Sequence, residues 1–490
     1  MKYLTKKNII IFILLVATYF SLFFQLDSYA LQLWDEGTYA VNAYEMCLNG
    51  DLLVKHYNGT PEMWATNPPL VCYFQAICIK IFGPSEFAVR LPSALAALGV
   101  VLLIIRFSTK EKLGLDFTAY AVLALISARG YVDFHVTRTA DLDSVLIFFV
   151  TGSVIYFYKF IEYEEKKVKY LVTFSVFVLL GYYAKGIACF MVLPAFLIYA
   201  ILKRKVLYVL KTKQLYICIV SVFLLIAAYY LLREQRNPGY IKATFTSEVG
   251  RYYTAGNEWS TKPFYNYVQQ MYEGDFQYIL FIPVLIILFS FLPKTNIYKS
   301  KSVIWVTTIV TYLLVISISK NKTPWYDGPL YPMLSIYLAL GLKSIINFKN
   351  YSNSISHVVK GVFCFGLFAM PYSAVIQHNF KGEPGWHDTE FGEALHRYHS
   401  LKNVPKKIEM LTAGYNGPAL FYKHVYNNKY GYDITIRDIS NKDIDMKIGV
   451  TYLFTHPAVR SYLDNTFVFE LYMCTDGMLV AKPLSYKQRL

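Results

Sequence analysis

Apolar runs of about twenty residues recur along this chain, divided by short connectors that carry lysine and arginine. Crossing about 30 Å of hydrocarbon as a helix takes about 20 residues, and inside lipid the backbone must satisfy its own hydrogen bonds. Runs that meet this length, or nearly do, start near Ile9, Phe87, Phe117, Asp143, Tyr170, Ile187, Leu215, Phe276, Val303, Gly328 and His357. The expected architecture is mainly α, a polytopic helical membrane protein of about eleven spanning helices. Composition agrees, since only 17% of residues are charged, against roughly 25% in soluble domains. The first run, Ile9 to Leu26, follows Lys2, Lys6 and Lys7, and Ser28-Tyr29-Ala30 resembles a signal-peptidase site. At about 18 residues it exceeds the usual signal-peptide core, so it reads as a retained first helix.

The formal charge of +15 belongs to topology rather than to nucleic acid, because no basic stripe occurs in a soluble segment. With the N-terminus cytoplasmic, the inner connectors contain Arg106, Lys110 and Lys112, then Lys159, Lys166, Lys167 and Lys169. They continue with Lys203, Arg204, Lys205, Lys211 and Lys213, then Lys294, Lys299 and Lys301, and finally Lys343 and Lys349. Each is short and basic, as inner loops are. The reading is a multi-pass protein of the plasma (inner) membrane. The seven cysteines form no CxxC or Cys/His ligand pattern; a disulfide among Cys47, Cys72 and Cys474 is left open.

This orientation divides the chain into a transmembrane part, 1–376, and an extracytoplasmic part, 377–490. Two large outer loops, 27–86 and 233–275, interrupt the first part. Loop 27–86 is rich in Trp, Tyr and Pro and is expected to form amphipathic helices on the membrane surface. Strand-like stretches at Ile408–Leu411, Asp433–Ile436, Thr451–Phe454 and Phe467–Tyr472 alternate with helical ones in the tail. A small α/β domain is expected there.

Polar groups with chemical capacity then fall on the outer face. Trp34-Asp35-Glu36-Gly37 follows the first helix, and its paired carboxylates suit a general base or an acceptor-hydroxyl site; the bland alternative is an interfacial anchor. Arg138 and Asp143 sit at the mouth of the fourth helix, where an ionised group costs free energy unless it is paired or solvated. The competing role for Asp143 is capping of free helix amides. Lys185 lies in a tight outer turn, and Lys320, Lys322, Trp325 and Tyr326 follow the ninth helix. Cations on the side poor in basic residues suit a phosphate, the alternative being snorkelling to headgroups. Glu248 and Arg251 add an acid and a base to the second outer loop.

W-D-E-G-T-Y (34–39), N-P-P-L (67–70), F-A-V-R-L-P-S-A-L (87–95), R-T-A-D-L-D-S-V-L-I-F-F (138–149), Y-Y-A-K-G (182–186) and S-K-N-K-T-P-W-Y-D-G-P-L-Y-P (319–332) stand in this order. Through them the chain resembles the GT-C membrane glycosyltransferases. The likeness is to the dolichyl-phosphate-mannose protein mannosyltransferase superfamily and its bacterial branch, the lipid A aminoarabinose transferases. The resemblance covers roughly residues 30–335. It implies a GT-C fold and inverting transfer of a sugar from a polyprenyl-phosphate-linked donor to an envelope acceptor: a lipid A-like glycolipid, a glycan or a protein. It further implies Asp35 as general base, with Glu36 and Asp143 completing the acidic site. Arg138, Lys185, Lys320 and Lys322, assisted by Tyr326, would hold the donor phosphate, with Trp34, Asn67, Glu248 and Arg251 as substrate contacts.

Two positions depart from the family pattern. Many relatives have Lys where this chain has Asn67, so that phosphate contact is lost or falls to Lys320. Relatives often place a His after the seventh helix, where this chain has Asn257-Glu258. No metal ligand set and no required cofactor are therefore expected. The rival reading, a polytopic transporter or lipid flippase, would place ionisable groups near helix centres and show internal repeats. Here the charges gather at helix ends and no repeat is visible.

Overall fold

A computed structural model of the chain describes residues 6–133, 135–250, 261–293, 295–348, 354–381, 389–440, 444–455, 457–475 and 478–487. The protein is mainly helical and packs as two compact units. One comprises 1–25, 63–71 and 91–381; the other comprises 26–62, 72–90 and 382–490.

In the first unit the apolar runs form helices. They include α1 (Lys6–Leu22), α4 (Glu86–Lys110, whose residues up to Arg90 belong to the second unit), α5 (Leu115–Ile126), α6 (Asp143–Glu162), α7 (Lys167–Lys185) and α8 (Leu193–Leu202); α2 (Asp35–Asn49) and most of α3 (Leu70–Phe82) belong to the second unit. Then follow α9 (Lys213–Arg236), α10 (Phe281–Phe291), α11 (Ile297–Ile318), α12 (Leu330–Phe348) and α13 (Ser354–Lys381). By length and composition, five described stretches are apolar enough to cross a membrane: Glu86–Lys110, Asp143–Glu162, Glu164–Leu202, Lys213–Arg236 and Ile297–Ile318. Shorter apolar helices accompany them, among them Lys7–Leu22, Leu115–Ile126 and Leu330–Ile345.

Helix α6 is the central one: 89% of its apolar window is buried, against 6% for α9. Its Gly152 leaves room for the Phe177 ring of α7, which a Cβ at that position would strike at 1.9 Å. Small residues let membrane helices approach this closely. Trp305, Phe107 and Tyr158 pack edge to face in the same core. Asn296 starts α11 by accepting from the amides of Tyr298 and Lys299 at 2.9 and 3.0 Å, which satisfies two free helix donors.

The turn expected near Lys185 is made by Gly186 (φ +56°) and a 3-10 segment, Gly186–Val192. It folds α8 back along α7, with Phe174 against Phe196 at 5.2 Å between ring centroids.

The second unit carries α2 (Asp35–Asn49), a short hairpin of β1 (His56–Tyr57) and β2 (Thr60–Pro61), and α3 (Leu70–Phe82), whose first two residues belong to the other unit. The tail adds α14 (Glu390–Ser400), β3 (Lys407–Thr412), α15 (Gly417–Tyr430), β4 (Asp433–Asp438), β5 (Thr451–Phe454), α16 (Pro457–Thr466), β6 (Phe467–Thr475) and β7 (Met478–Tyr486). The sheet order is β4-β3-β5-β7-β6; β3 runs parallel to β4 and β5, and β7 antiparallel to β5 and β6. Tyr452, Phe454, Val459, Leu463 and Phe467 fill its core. Every strand expected from the sequence is present, and α16 and β7 add to them. Cys47, Cys72 and Cys474, for which a disulfide was left open, are free thiols.

Candidate functional site

In the first unit the polar groups converge at the ends of α6 and α7. Asp143 opens α6 yet does not cap it. Its carboxylate instead accepts from the Lys185 ammonium at 2.5 Å, and Asp143 is only 3% exposed. A charge pair this deep needs good geometry to offset desolvation, and the short, direct contact supplies it. The Lys185 ammonium also lies 5.6 Å from the centre of the Tyr326 ring, within cation–π range. The next residue, Gly186, has a left-handed φ of +56° and no Cβ; a Cβ there would come within 3.1 Å of a Glu248 oxygen. Glu248 in turn accepts from Asn67 Nδ2 at 3.0 Å, and Thr66 and Ser247 pair at 2.5 Å beside them. Asp143, Lys185, Tyr326, Glu248 and Asn67 thus form one continuous network, although up to 259 positions separate them in the chain.

The other residues of this unit take varied places. Arg138 is buried and donates to the carbonyls of Gln25 (2.9 Å) and Ser21 (3.4 Å), so it ties down the end of α1. Lys322 is buried and donates to the Ser319 carbonyl at 2.6 Å, while Lys320 is exposed. Arg251, expected to contact substrate, lies outside the described residues, as do Asn257 and Glu258.

Sequence reasoning missed His135 and assigned Asp141 no role. The His135 Nδ1 lies 3.2 Å from an Asp141 oxygen, and its ring stacks on Trp325 at 3.5 Å. His135 holds φ +60°, a left-handed conformation uncommon for a residue with a side chain and one that concentrates at functional sites. The only advance signal was a histidine three residues before the Arg138 motif. Nearby, Asp327 is buried and accepts from Tyr331 at 2.9 Å. Burial, with the Asp275 carboxylate, pushes its pKa well up; Asp275 itself is pushed to about 6, chiefly by burial.

In the second unit, Trp34 and Asp35 begin α2. Gly37 and Gly417 let α2 lie directly on α15: a Cβ on Gly37 would sit 2.3 Å from the Pro418 ring. Trp34 (φ +68°) stacks on Tyr415 at 5.5 Å, and Tyr415 stacks on Tyr57 at 5.3 Å. Thr38 hydrogen-bonds the Tyr415 hydroxyl. Asp35 stands at the start of α2, partly exposed, at the positive end of the helix dipole. Glu36 is different. It is 1% exposed, bidentate to the fully buried Arg90 (2.7 and 3.0 Å), and accepts from the Gln32 amide at 2.8 Å. Arg90 spends its remaining donors on the carbonyls of Leu26, Tyr29 and Ala30. This pair locks the segment that leads into Asp35.

The chain is similar to several known proteins. Residues 66–231 match the family model described as dolichyl-phosphate-mannose-protein mannosyltransferase. An undecaprenyl phosphate-alpha-4-amino-4-deoxy-L-arabinose arabinosyl transferase of Aeromonas salmonicida is 26% identical over 374 residues, 73% of this chain and 64% of that protein. An uncharacterized protein of Aquifex aeolicus is 26% identical over 351 residues, 71% of this chain and 66% of that one. The putative mannosyltransferase YycA of Bacillus subtilis is 32% identical over 140 residues, 28% of this chain and 20% of its own length. The chain thus spans two thirds or less of the length of these relatives. Among solved structures, ArnT from Cupriavidus metallidurans bound to undecaprenyl phosphate superposes with a TM-score of 0.71 over 96% of this chain and 97% of that one, at 16% identity. That likeness is one of fold.

Proposed function

We propose, for a multi-pass membrane chain with the GT-C glycosyltransferase fold, that it transfers a sugar from a polyprenyl-phosphate carrier to an acceptor hydroxyl on the outer face of the plasma membrane. The N-terminus is then cytoplasmic and the 377–490 domain extracytoplasmic. The observation that carries this reading is the ion pair between buried Asp143 and half-buried Lys185 at the ends of two membrane helices, with Tyr326 over the ammonium and Glu248 and Asn67 beside it. A transporter or flippase would use ionisable groups near helix centres; these stand at helix ends. The acceptor is an envelope glycolipid, glycan or protein.

In this reaction the acceptor oxygen attacks the anomeric carbon with inversion, and the bond from that carbon to the phosphate oxygen breaks. The bonding pair leaves with the polyprenyl phosphate. Asp35, as general base, takes the hydroxyl proton. Lys185 meets the charge that grows on the leaving phosphate, the part of the reaction where fixed cations contribute most. Lys322 and the exposed Lys320 supply further positive charge. Tyr326 aids Lys185, and Trp34, Asn67, Glu248 and Arg251 contact substrate. Glu36, through Arg90, holds the segment that leads into Asp35, and Arg138 holds the end of α1. No metal ion or other cofactor is required in this scheme.

The test is transfer of labelled sugar from a synthetic polyprenyl-phosphate donor by the reconstituted protein. Asp35→Asn is expected to fold, insert and bind donor while losing about 10²–10⁴-fold in rate. Full activity in that variant excludes Asp35 as the base.

A further inference from the structure

At the opposite end of the helix bundle from Asp143 and Lys185, the end of α4, the α6–α7 connection and the end of α8 enclose a cavity of about 840 Å³. Seven lysine or arginine side chains line it, against four glutamates. Two of those glutamates are already paired, Glu162 with Lys203 at 2.8 Å and Glu164 with Lys205 at 2.6 Å. A third, Glu111, pairs with Lys301. Arg106, Lys110, Lys159, Lys166 and Lys169 make no ion pair among the described residues.

Lys159 is the telling one. It is 6% exposed, and its ammonium stands over the rings of Tyr156 (5.3 Å) and Tyr170 (5.9 Å), which also line the cavity. The nearest carboxylate, Glu111, is taken up by Lys301, and a buried cation with no ion pair of its own is a standing cost unless an anion completes it. Outside the cavity mouth the helix surfaces are apolar: Val168, Val172, Ile201 and Leu202 are all exposed. A ligand with a negative head and a hydrocarbon tail fits both features.

We propose that this cavity is a binding site for a phosphate-bearing group, the headgroup of an anionic phospholipid, seated on Lys159 with its acyl chains along Val168 and Val172. The site is separate from the transfer chemistry and stands whether or not that reading does. The positive surroundings draw anionic headgroups, at about a fivefold gain per lysine near the surface.

Native mass spectrometry of the detergent-purified chain, incubated with equal phosphatidylglycerol and phosphatidylcholine, tests it. One phosphatidylglycerol is expected to be retained in preference to phosphatidylcholine. The double variant Lys110→Ala/Lys169→Ala changes two exposed residues and leaves the core intact. It is expected to lose about 25-fold in retention, and Lys159→Met at least as much. Equal retention of both lipids, or equal retention by wild type and the double variant, overturns the proposal. A second arm adds inorganic phosphate without lipid and reads thermal unfolding. Stabilisation there, with no lipid retained in the first arm, would give the pocket to a free anion and overturn the lipid assignment.

Discussion

Asp143 and Lys185 show what one contact decides. Each alone has a bland role, a helix-start acid and a snorkelling lysine, and the structure gives them neither: they hold each other at 2.5 Å. Two predictions belong at this scale. Lys185→Ala removes the half-buried partner of buried Asp143 and also the cation proposed for the leaving phosphate. Donor affinity is expected to fall more than acceptor affinity, and Lys185→Arg, which keeps the charge, to recover part of it. Titration of each variant with a synthetic polyprenyl-phosphate sugar checks this, and unchanged donor affinity in Lys185→Ala removes the phosphate role. Glu36→Gln leaves the fully buried Arg90 uncompensated, a change that costs about 3–5 kcal/mol in other buried pairs. The expected outcome is a large fall in unfolding temperature rather than a selective loss of chemistry. A Glu36→Gln protein of normal stability but no activity would instead make Glu36 a direct participant.

At the scale of elements, α2 and α15 set the position of Asp35. The contact depends on Gly37 and Gly417, which bring the two helices close enough for Pro418 to lie against Gly37. It depends also on the start of α15, where Asn416 accepts from the Ala419 amide at 2.8 Å and holds the neighbouring Tyr415 under Trp34. Asn416→Ala removes that cap and is expected to cost about 1 kcal/mol, with an altered Trp34 fluorescence environment as its local signature. Gly186 plays the matching part in the first unit. Its positive φ and the nearby Glu248 oxygen leave no room for a branched side chain. Gly186→Val is expected to disturb Lys185 without touching it, and the transfer assay should find donor use impaired.

For the whole molecule, pH enters through histidines in the second unit. Burial pulls the His396 pKa down, but the Glu86 carboxylate at 3.1 Å outweighs it and leaves the value above 6.5. A raised folded value means that this contribution to stability is fully present below about 6.5 and is lost as pH rises through the folded value. Unfolding temperature is therefore expected to decline from pH 6 to pH 8, and His396→Ala to flatten that slope. Glu45 works at the acid end. Burial raises its pKa, yet His424 and the Gly59 amide lower it further, to below 4.5. Its contribution is present above 4.5 and is lost as pH falls through the depressed value.

What the amino-acid order settled by itself was local: which stretches form apolar helices, which connectors are basic, and where β3 to β6 run. Those follow from composition and period over ten to twenty residues, which neighbours along the chain fix. Partner choice was left to the tertiary structure. Nothing between positions 36 and 90 says that Glu36 belongs to Arg90, or that Arg138 will hold carbonyls at the end of α1. Nor does any local pattern give His135 its positive φ and its place on Trp325. Such contacts depend on how buried helices pack, and in a low-dielectric interior each charge must take whichever partner that packing brings within reach.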